Sequence, residues 1–485
     1  MSAIQKNFRK VPMSRVDHAW LRMERPTNLM MISGVMMFEL PVNIHKLRKV
    51  IKDRFLSYPR LRQKVVETAT GTFWQEDEDF DLEYHVRLSA LPGKGDKQSL
   101  ERFVSQMAST PLDKTKPLWQ FHLVEKYGGG SALIMRIHHC YADGIALVQV
   151  LLSMTDSEAK PSKHEPLAKT WLKQDGSAVQ ARMGAIDRYM KMGEGILEKG
   201  MDFYRDPSLA SVVAKEGGEI ARELAVALSL GDDPDTVLRG RLGISKRVAW
   251  APPLPLDDVK AISRVFNATV NDVLMASMAG ALRNYMQERG EQIDGMTIRA
   301  TVPVNLRPLE HAKKLGNHFG LVFLDLPVGE PHPVLRLVRV VESMQQLKQS
   351  RQAVVVYGLL AALGMAPPAL QNFAFELFSR KATMVATNVP GPQMPLYMAG
   401  VKITEQMFWV PQTGSIGLGV SILSYNGNVH FGLIADAKLI PDPDAVIQRF
   451  IPEFEKLLFI ALMGDWGEPA AAPDQKRKRL KKVNP

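Results

Sequence analysis

Residues 131–150 read SALIMRIHHCYADGIALVQV: an apolar run, two adjacent histidines, a cysteine, Asp143-Gly144 and a second apolar run. ALIMRI is short and bounded by turn signals, which reads as a strand covered on both faces. GIALVQVLL reads as an apolar helix, and Asp143 stands where the chain turns into it. Side chains alternate along a strand, so His138 and His139 face opposite ways. One can meet a substrate in a cleft, while the other packs or hydrogen-bonds within its own lobe.

Several chemistries fit this cluster. Asp143 suits a helix N-cap, with both histidines as satisfied core groups. Two histidines and a carboxylate begin a metal site but lack a clear fourth ligand. Cys140 beside His139 is a poor nucleophile pair, because neighbouring strand residues face apart. A neutral imidazole can also serve as a general base that takes a proton from a hydroxyl.

Working outward, Gly128-Gly129-Gly130 makes a turn behind LWQFHLVEKY (118–127), which alternates like a strand, as does FDLEYHVRL (80–88). Ile44, Leu47, Val50, Ile51 and Phe55 form a helical stripe that stops before Pro59, and SLERFVSQMAST is a second amphipathic helix. From about residue 156 to 240 the chain is polar and loosely amphipathic. Strand and helix patterns then resume in ATVNDVLMASMAGALRNYM, TIRATVPVNLR, HFGLVFLDLPV and PVLRLVRVVESMQQLKQ. Asn426-Gly427 between alternating runs signals a type I′ hairpin. The expectation is an α/β chain of two lobes with a cleft or tunnel between them. Residues 1–155 form the N-terminal lobe, 156–245 a helical crossover, 246–470 the C-terminal lobe, and 471–485 a basic tail.

The 485 residues are 46% hydrophobic and 23% charged, a globular balance that argues against a largely disordered chain. Sixty-one basic residues against 51 acidic ones leave a formal charge of +10, part of it in KRKRLKKVNP. Such a tail attracts anionic membranes or nucleic acid, or simply solubilises. No zinc-finger spacing or other nucleic-acid signature appears, so nucleic acid is not an expected partner. Cys140 is the only cysteine, which rules out an internal disulfide. The opening MSAIQKNFRKVPMSR lacks the apolar core of a signal peptide. The apolar run 353–370 is broken by Pro367-Pro368, short of the roughly 20 residues a bilayer span needs. It reads as a core helix, a tunnel wall or a surface that touches lipid.

The heptad HHCYADG resembles the His-His-x-x-x-Asp-Gly motif of the bacterial wax ester synthase/diacylglycerol acyltransferases. SRVDHAWLRMERPTNLMMISGVMMFE, PLWQFHLVE, TVNDVLMA, PVNLR, LGNHFG and TNVPGP stand in that family's order, so the resemblance covers nearly the whole chain. It implies a two-lobed, chloramphenicol acetyltransferase-like fold with the active site at the lobe interface. The implied reaction is transfer of a fatty acyl group from acyl-CoA, as co-substrate, to a long-chain alcohol or diacylglycerol. No bound cofactor, no metal and no covalent intermediate are implied. His139 is then the base, His138 its supporting neighbour, and Asp143 a keeper of local geometry through an arginine not identifiable from sequence. Gly144 lets the chain turn sharply. A carrier-bound donor, a specialised alcohol, or a non-catalytic lipid-droplet role are the alternatives. A cytoplasmic protein touching the inner membrane face or lipid inclusions is expected.

The remaining blocks have both structural and functional readings. Thr269 and Asp272 fit a capping box, while Asn271 in the same first turn is placed to stabilise an oxyanion. Pro117, Leu118 and Trp119 shape the lobe or the tunnel wall. Asn388, Pro390 and Gly391 belong to a strand end and tight turn. Arg307 either meets a coenzyme A phosphate or forms a structural ion pair.

Overall fold

The computed structural model describes residues 10–160, 229–306, 315–350, 352–363 and 367–464. Most of the expected crossover (161–228), Arg307 and the basic tail lie outside the described residues.

The quoted stretch is a strand, Gly130–His138, buried along its whole length, followed by the helix Gly144–Met154. The strand lies inside a six-stranded sheet, hydrogen-bonded on one side to Met31–Phe38 and on the other to Trp119–Tyr127. A second large sheet holds Ile298–Asn305, Phe319–Leu326, Met384–Pro390, Leu418–Tyr425, Asn428–Asp436 and Lys246–Trp250. Asn426 (φ 48°) and Gly427 (φ 76°) join two of its strands with both residues left-handed, as a type I′ turn requires. A small sheet of Val11–Pro12, Gly71–Glu76 and Gln63–Thr68 completes the strands named here.

Two expectations are corrected. The segment 80–88 is not one strand. Asp81 caps a short helix, Leu82–His85, by accepting the Glu83 N–H (2.8 Å), and only Val86–Ser89 is extended. A local side-chain cap outcompetes the alternating pattern there. The C-terminal lobe is also not a continuous 246–470. Val401–Trp409 leaves it to pair antiparallel with Met31–Phe38, so a late strand completes the first lobe's sheet. VKITEQMFW specifies an extended chain, but nothing in it names a partner sheet. Close packing fixes the crossing: a Cβ on Gly432 would lie 2.7 Å from Met407 Sδ, and Trp409 packs 5.8 Å from Trp250.

The apolar run 353–370 becomes parts of two helices, Gln352–Leu363 and Pro368–Ser379. Among the described residues no single helix is long and apolar enough to cross a membrane.

Candidate active site

At the end of the central strand the chain is tied to both neighbours. His138 N–H donates to the Leu118 carbonyl (2.9 Å) and His139 N–H to the Met30 carbonyl (2.7 Å). The two side chains then part, as alternation demands. His138 Nδ1 accepts the Cys140 N–H (3.1 Å), and its Nε2 lies 3.1 Å from the Glu24 carboxylate. Burial opposes the charge on Glu24, but His138 and Lys114 outweigh it and hold the carboxyl at about 2. His138 is thus anchored within its lobe.

His139 stands between the lobes. Its ring stacks on Trp20 of the helix Arg15–Met23, centroids 4.3 Å apart and planes 17° from parallel. Phe319, where the LGNHFG block enters the strand Phe319–Leu326, packs against the ring at 5.5 Å. Burial draws the imidazole down to about 4, against the pull of the Asp143 charge. The ring is therefore neutral at pH 7 and able to accept a proton. Its Nδ1 is buried without a hydrogen-bond partner among the described residues.

Asp143 caps the following helix, accepting the Ala146 N–H on Oδ1 (2.9 Å). Its other oxygen accepts the His318 N–H (3.0 Å), and Asp143 N–H donates to the Gly316 carbonyl (3.3 Å). Asp143 is an N-cap, and through backbone groups of Gly316 and His318 it also fastens the motif loop to the second half of the chain. Gly144 does not make the turn, because its φ is not positive and the Asp143 cap turns the chain instead. A Cβ on Gly144 would meet only Val389, at 3.9 Å, on the wall of a cavity. Burial pushes the Cys140 thiol well above its ordinary value, so it is inert as a nucleophile.

That cavity is overwhelmingly apolar, with Ile137, Gly144, Leu147, Val389, Met407 and Leu423 in its walls. Ile137 and Gly144 bracket the motif turn, so the cavity adjoins it from one side. A second apolar cavity is walled by Met23, Leu321, Val356, Leu360, Phe375 and Phe378. Met23 lies one helical turn from Trp20, on the same helix that stacks against the imidazole. His139 itself is 5% exposed and forms part of neither wall.

The other expected residues divide. Gly391 lines the larger cavity, and a Cβ there would lie 2.4 Å from the Ser424 carbonyl, so only glycine fits. Asn388 and Pro390 are exposed on the strand before it. Pro117 is buried, and Trp119 donates Nε1–H to the Leu61 carbonyl (2.7 Å) within the first lobe's core. Thr269 and Asp272 form the expected capping box, 3.3 and 2.7 Å. Asn271 is half-buried in the same turn, and no hydrogen bond or ring contact joins it to His139 among the described residues. Among the described residues no group of three His, Cys, Asp or Glu side chains could hold a metal ion.

Sequence reasoning missed Trp20, Glu24, Asp17, Asn317 and Phe319. Each lies in a block that carries the family resemblance, yet no residue type there announced a role. Asp17, 3% exposed, accepts Asn317 N–H (3.1 Å) and Nδ2–H (2.8 Å), and Asn317 Nδ2 also donates to the His139 carbonyl (2.8 Å).

Comparison with known proteins agrees with this geometry. The description "Wax ester synthase/diacylglycerol acyltransferase catalytic domain" matches residues 13–274, and "WS/DGAT C-terminal domain" matches residues 315–458. A probable diacylglycerol O-acyltransferase of Mycobacterium tuberculosis is 30% identical over 377 residues, covering 76% of this chain and 77% of that one. The O-acyltransferase WSD of Acinetobacter baylyi is 27% identical, covering 89% of this chain and 93% of its own. The fold is that of the wax ester synthase/diacylglycerol acyltransferase from Marinobacter aquaeolei VT8, with TM-score 0.65, 23% identity, and 93% and 100% coverage. A starter condensation domain of rhizomide synthetase shares the fold at TM-score 0.58 and 14% identity. With both family descriptions matched across the two halves of the chain, the protein is an acyltransferase that belongs to the wax ester synthase/diacylglycerol acyltransferase family.

Proposed function

We propose that the chain moves a fatty acyl group from acyl-CoA to the hydroxyl of a long-chain alcohol or diacylglycerol, with His139 as general base. The observation that carries this reading is a buried, uncharged imidazole where the two halves of the chain meet, with an apolar cavity adjoining the motif turn that carries it. His139 takes the hydroxyl proton as the oxygen attacks the thioester carbonyl. The tetrahedral oxyanion collapses, the C–S bond breaks, and the imidazolium returns its proton to the departing thiolate. Holding both substrates together supplies the proximity term, so no acyl-enzyme is needed. Asn271, at the positive end of its helix, is the oxyanion donor in this scheme, worth roughly 3 kcal/mol of barrier.

The alcohol or diacylglycerol acceptor is poorly soluble in water, and we place the enzyme peripherally at a lipid surface on the cytoplasmic side. Exposed Phe459, Leu462 and Met463 at the end of the helix Pro443–Met463 support this, just ahead of the lysine- and arginine-rich sequence.

Purified protein offered palmitoyl-CoA with hexadecanol and dioleoylglycerol in competition tests the reaction. Ester and free coenzyme A should form in equal amounts with the native chain, and none with His139→Ala. Near-normal turnover by His139→Ala would overturn the assignment of the base.

A further inference from the structure

We propose that the chain carries a phosphate-binding pocket, formed by Arg87 and Arg136 on the face of the first lobe's sheet that turns away from the apolar cavity. It is a different site from the one around His139, and it stands whether or not that imidazole is the base.

Strand alternation builds the pocket. Met135 and Ile137 line the apolar cavity, so Arg136 between them points to the other face. Gln120 pairs with Arg136, and His122 pairs with Arg87 of the strand Val86–Ser89. All four side chains therefore share one face across three adjoining strands at the sheet's edge. The helix Lys97–Ala108 packs over that face through Leu100 and Val104, beside Val124 and Ile134. It stops at Ser109, and the pocket opens past its end between Thr110, Tyr84 and the two arginines.

Arg136 is 3% exposed and directs three N–H groups at neutral oxygens. Nη1 donates to the Met107 (2.8 Å) and Thr110 (2.7 Å) carbonyls, and Nη2 donates to Gln120 Oε1 (2.6 Å). Capping the helix end is thus part of its role. Capping does not account for Nε, which is buried with no partner among the described residues. Nor does it account for Arg87, a second guanidinium lining the same pocket. Arg87 Nε donates to the Tyr84 carbonyl (2.9 Å), and its guanidinium lies 4.6 Å from the centre of the Tyr84 ring. Neither arginine has an ion pair among the described residues. Burial and the Arg87 charge draw Arg136 down to about 10. Burial and both arginines draw His122 down to about 4.

The polar walls are held in place. Gln120 Oε1 accepts from His122 Nε2 (3.0 Å) as well as from Arg136, while Gln120 Nε2 donates to the Tyr84 carbonyl (3.3 Å). Asp113 is the acidic residue on the wall. Its oxygens accept the Thr115 N–H (2.9 Å), the Thr115 hydroxyl (2.7 Å) and the Tyr84 hydroxyl (3.3 Å), so they serve their own loop. Two guanidinium forks in one pocket match an anion with several oxygens and close to two negative charges. A phosphate near pH 7 has both, and a carboxylate has neither.

Isothermal titration of the full chain with inorganic phosphate at fixed ionic strength tests this. One phosphate should bind per chain with a Kd of about 1 mM or tighter, and acetate should not displace it. Arg87 is exposed, so Arg87→Met should keep the native melting temperature in phosphate-free buffer and bind phosphate about 10-fold more weakly. Arg136→Lys keeps a charge for the helix-end carbonyls, loses the fork, and should weaken binding likewise. Exchange of an exposed lysine elsewhere, Lys260→Met, should leave binding unchanged. Undiminished binding by Arg87→Met would overturn the proposal whatever Arg136→Lys does, and so would no saturable binding up to about 10 mM. Kinetics of Arg87→Met then separates two sources of the phosphate. A KM for palmitoyl-CoA raised about 10-fold at unchanged kcat assigns the pocket to coenzyme A, and an unchanged KM assigns it to free phosphate.

Discussion

At the level of single residues, the chemistry turns on what surrounds two neighbouring histidines. Burial holds His139 at about 4, so protonation removes the base only well below neutrality. The acid limb of kcat/KM, which reports groups in the free enzyme, should lie near 4 and not near 6.5. Assays returned to pH 7 after each exposure separate titration from unfolding. His138 takes the opposite course, fixed by Cys140 N–H and the Glu24 carboxylate. Glu24→Gln removes the charged partner and should cost about 2 kcal/mol of stability, read by urea unfolding at pH 7. The histidine pair, the aspartate and their opposed directions were legible in the sequence. The motif resemblance singled out His139, but the identity of Trp20 and Asn317 as its neighbours was not legible, because those contacts span 119 residues (Trp20 to His139) and 178 residues (His139 to Asn317) of chain.

Elements show how backbone space limits substitution. Gly391 and Gly144 both border the larger cavity, yet they differ in what a methyl group would meet. Gly391→Ala drives a Cβ into the Ser424 carbonyl and should destabilise by about 1–3 kcal/mol. Gly144→Ala meets open space and stands in the first turn of a helix, so it should be neutral or gain up to about 1 kcal/mol. Paired thermal melts check the contrast, and equal losses would contradict this account of the wall. The capping box at Thr269 and the hairpin at Asn426-Gly427 were readable because local geometry decides them. The segment 80–88 was not, because its alternation competes with a cap supplied by Asp81.

Across the whole molecule, buried titratable groups set how the fold responds to acid. Burial lowers His122, His139 and His430 to about 4 each, with Arg136 and Arg87 adding to the effect at His122. Each contributes stability that is present above the unfolded value near 6.5 and lost as pH falls toward 4. Glu101 acts in the other direction: burial raises it to about 7, so its contribution is full below 4.5 and lost as pH rises through 7. Among the groups with large shifts that titrate in this range, the three histidines outweigh Glu101 and predict a melting temperature that falls between pH 6.5 and 4.5. A flat or rising profile there would contradict the burial assigned to these histidines. The crossing strand predicts a second global effect. Trp409 is fully buried where that strand passes the second sheet, so Trp409→Ala should cost about 3–5 kcal/mol in denaturant unfolding.

The order of strands and helices, the strand–turn–helix joint at His138 to Gly144, and the apolar runs that become cavity walls follow from period, turn residues and caps, which act over a few positions. Which sheet Val401–Trp409 joins, which half of the chain covers His139, and how far its ring loses water depend on contacts between distant segments. Desolvation is a property of everything packed around a group, so only the tertiary structure could turn an ordinary imidazole into a buried neutral one.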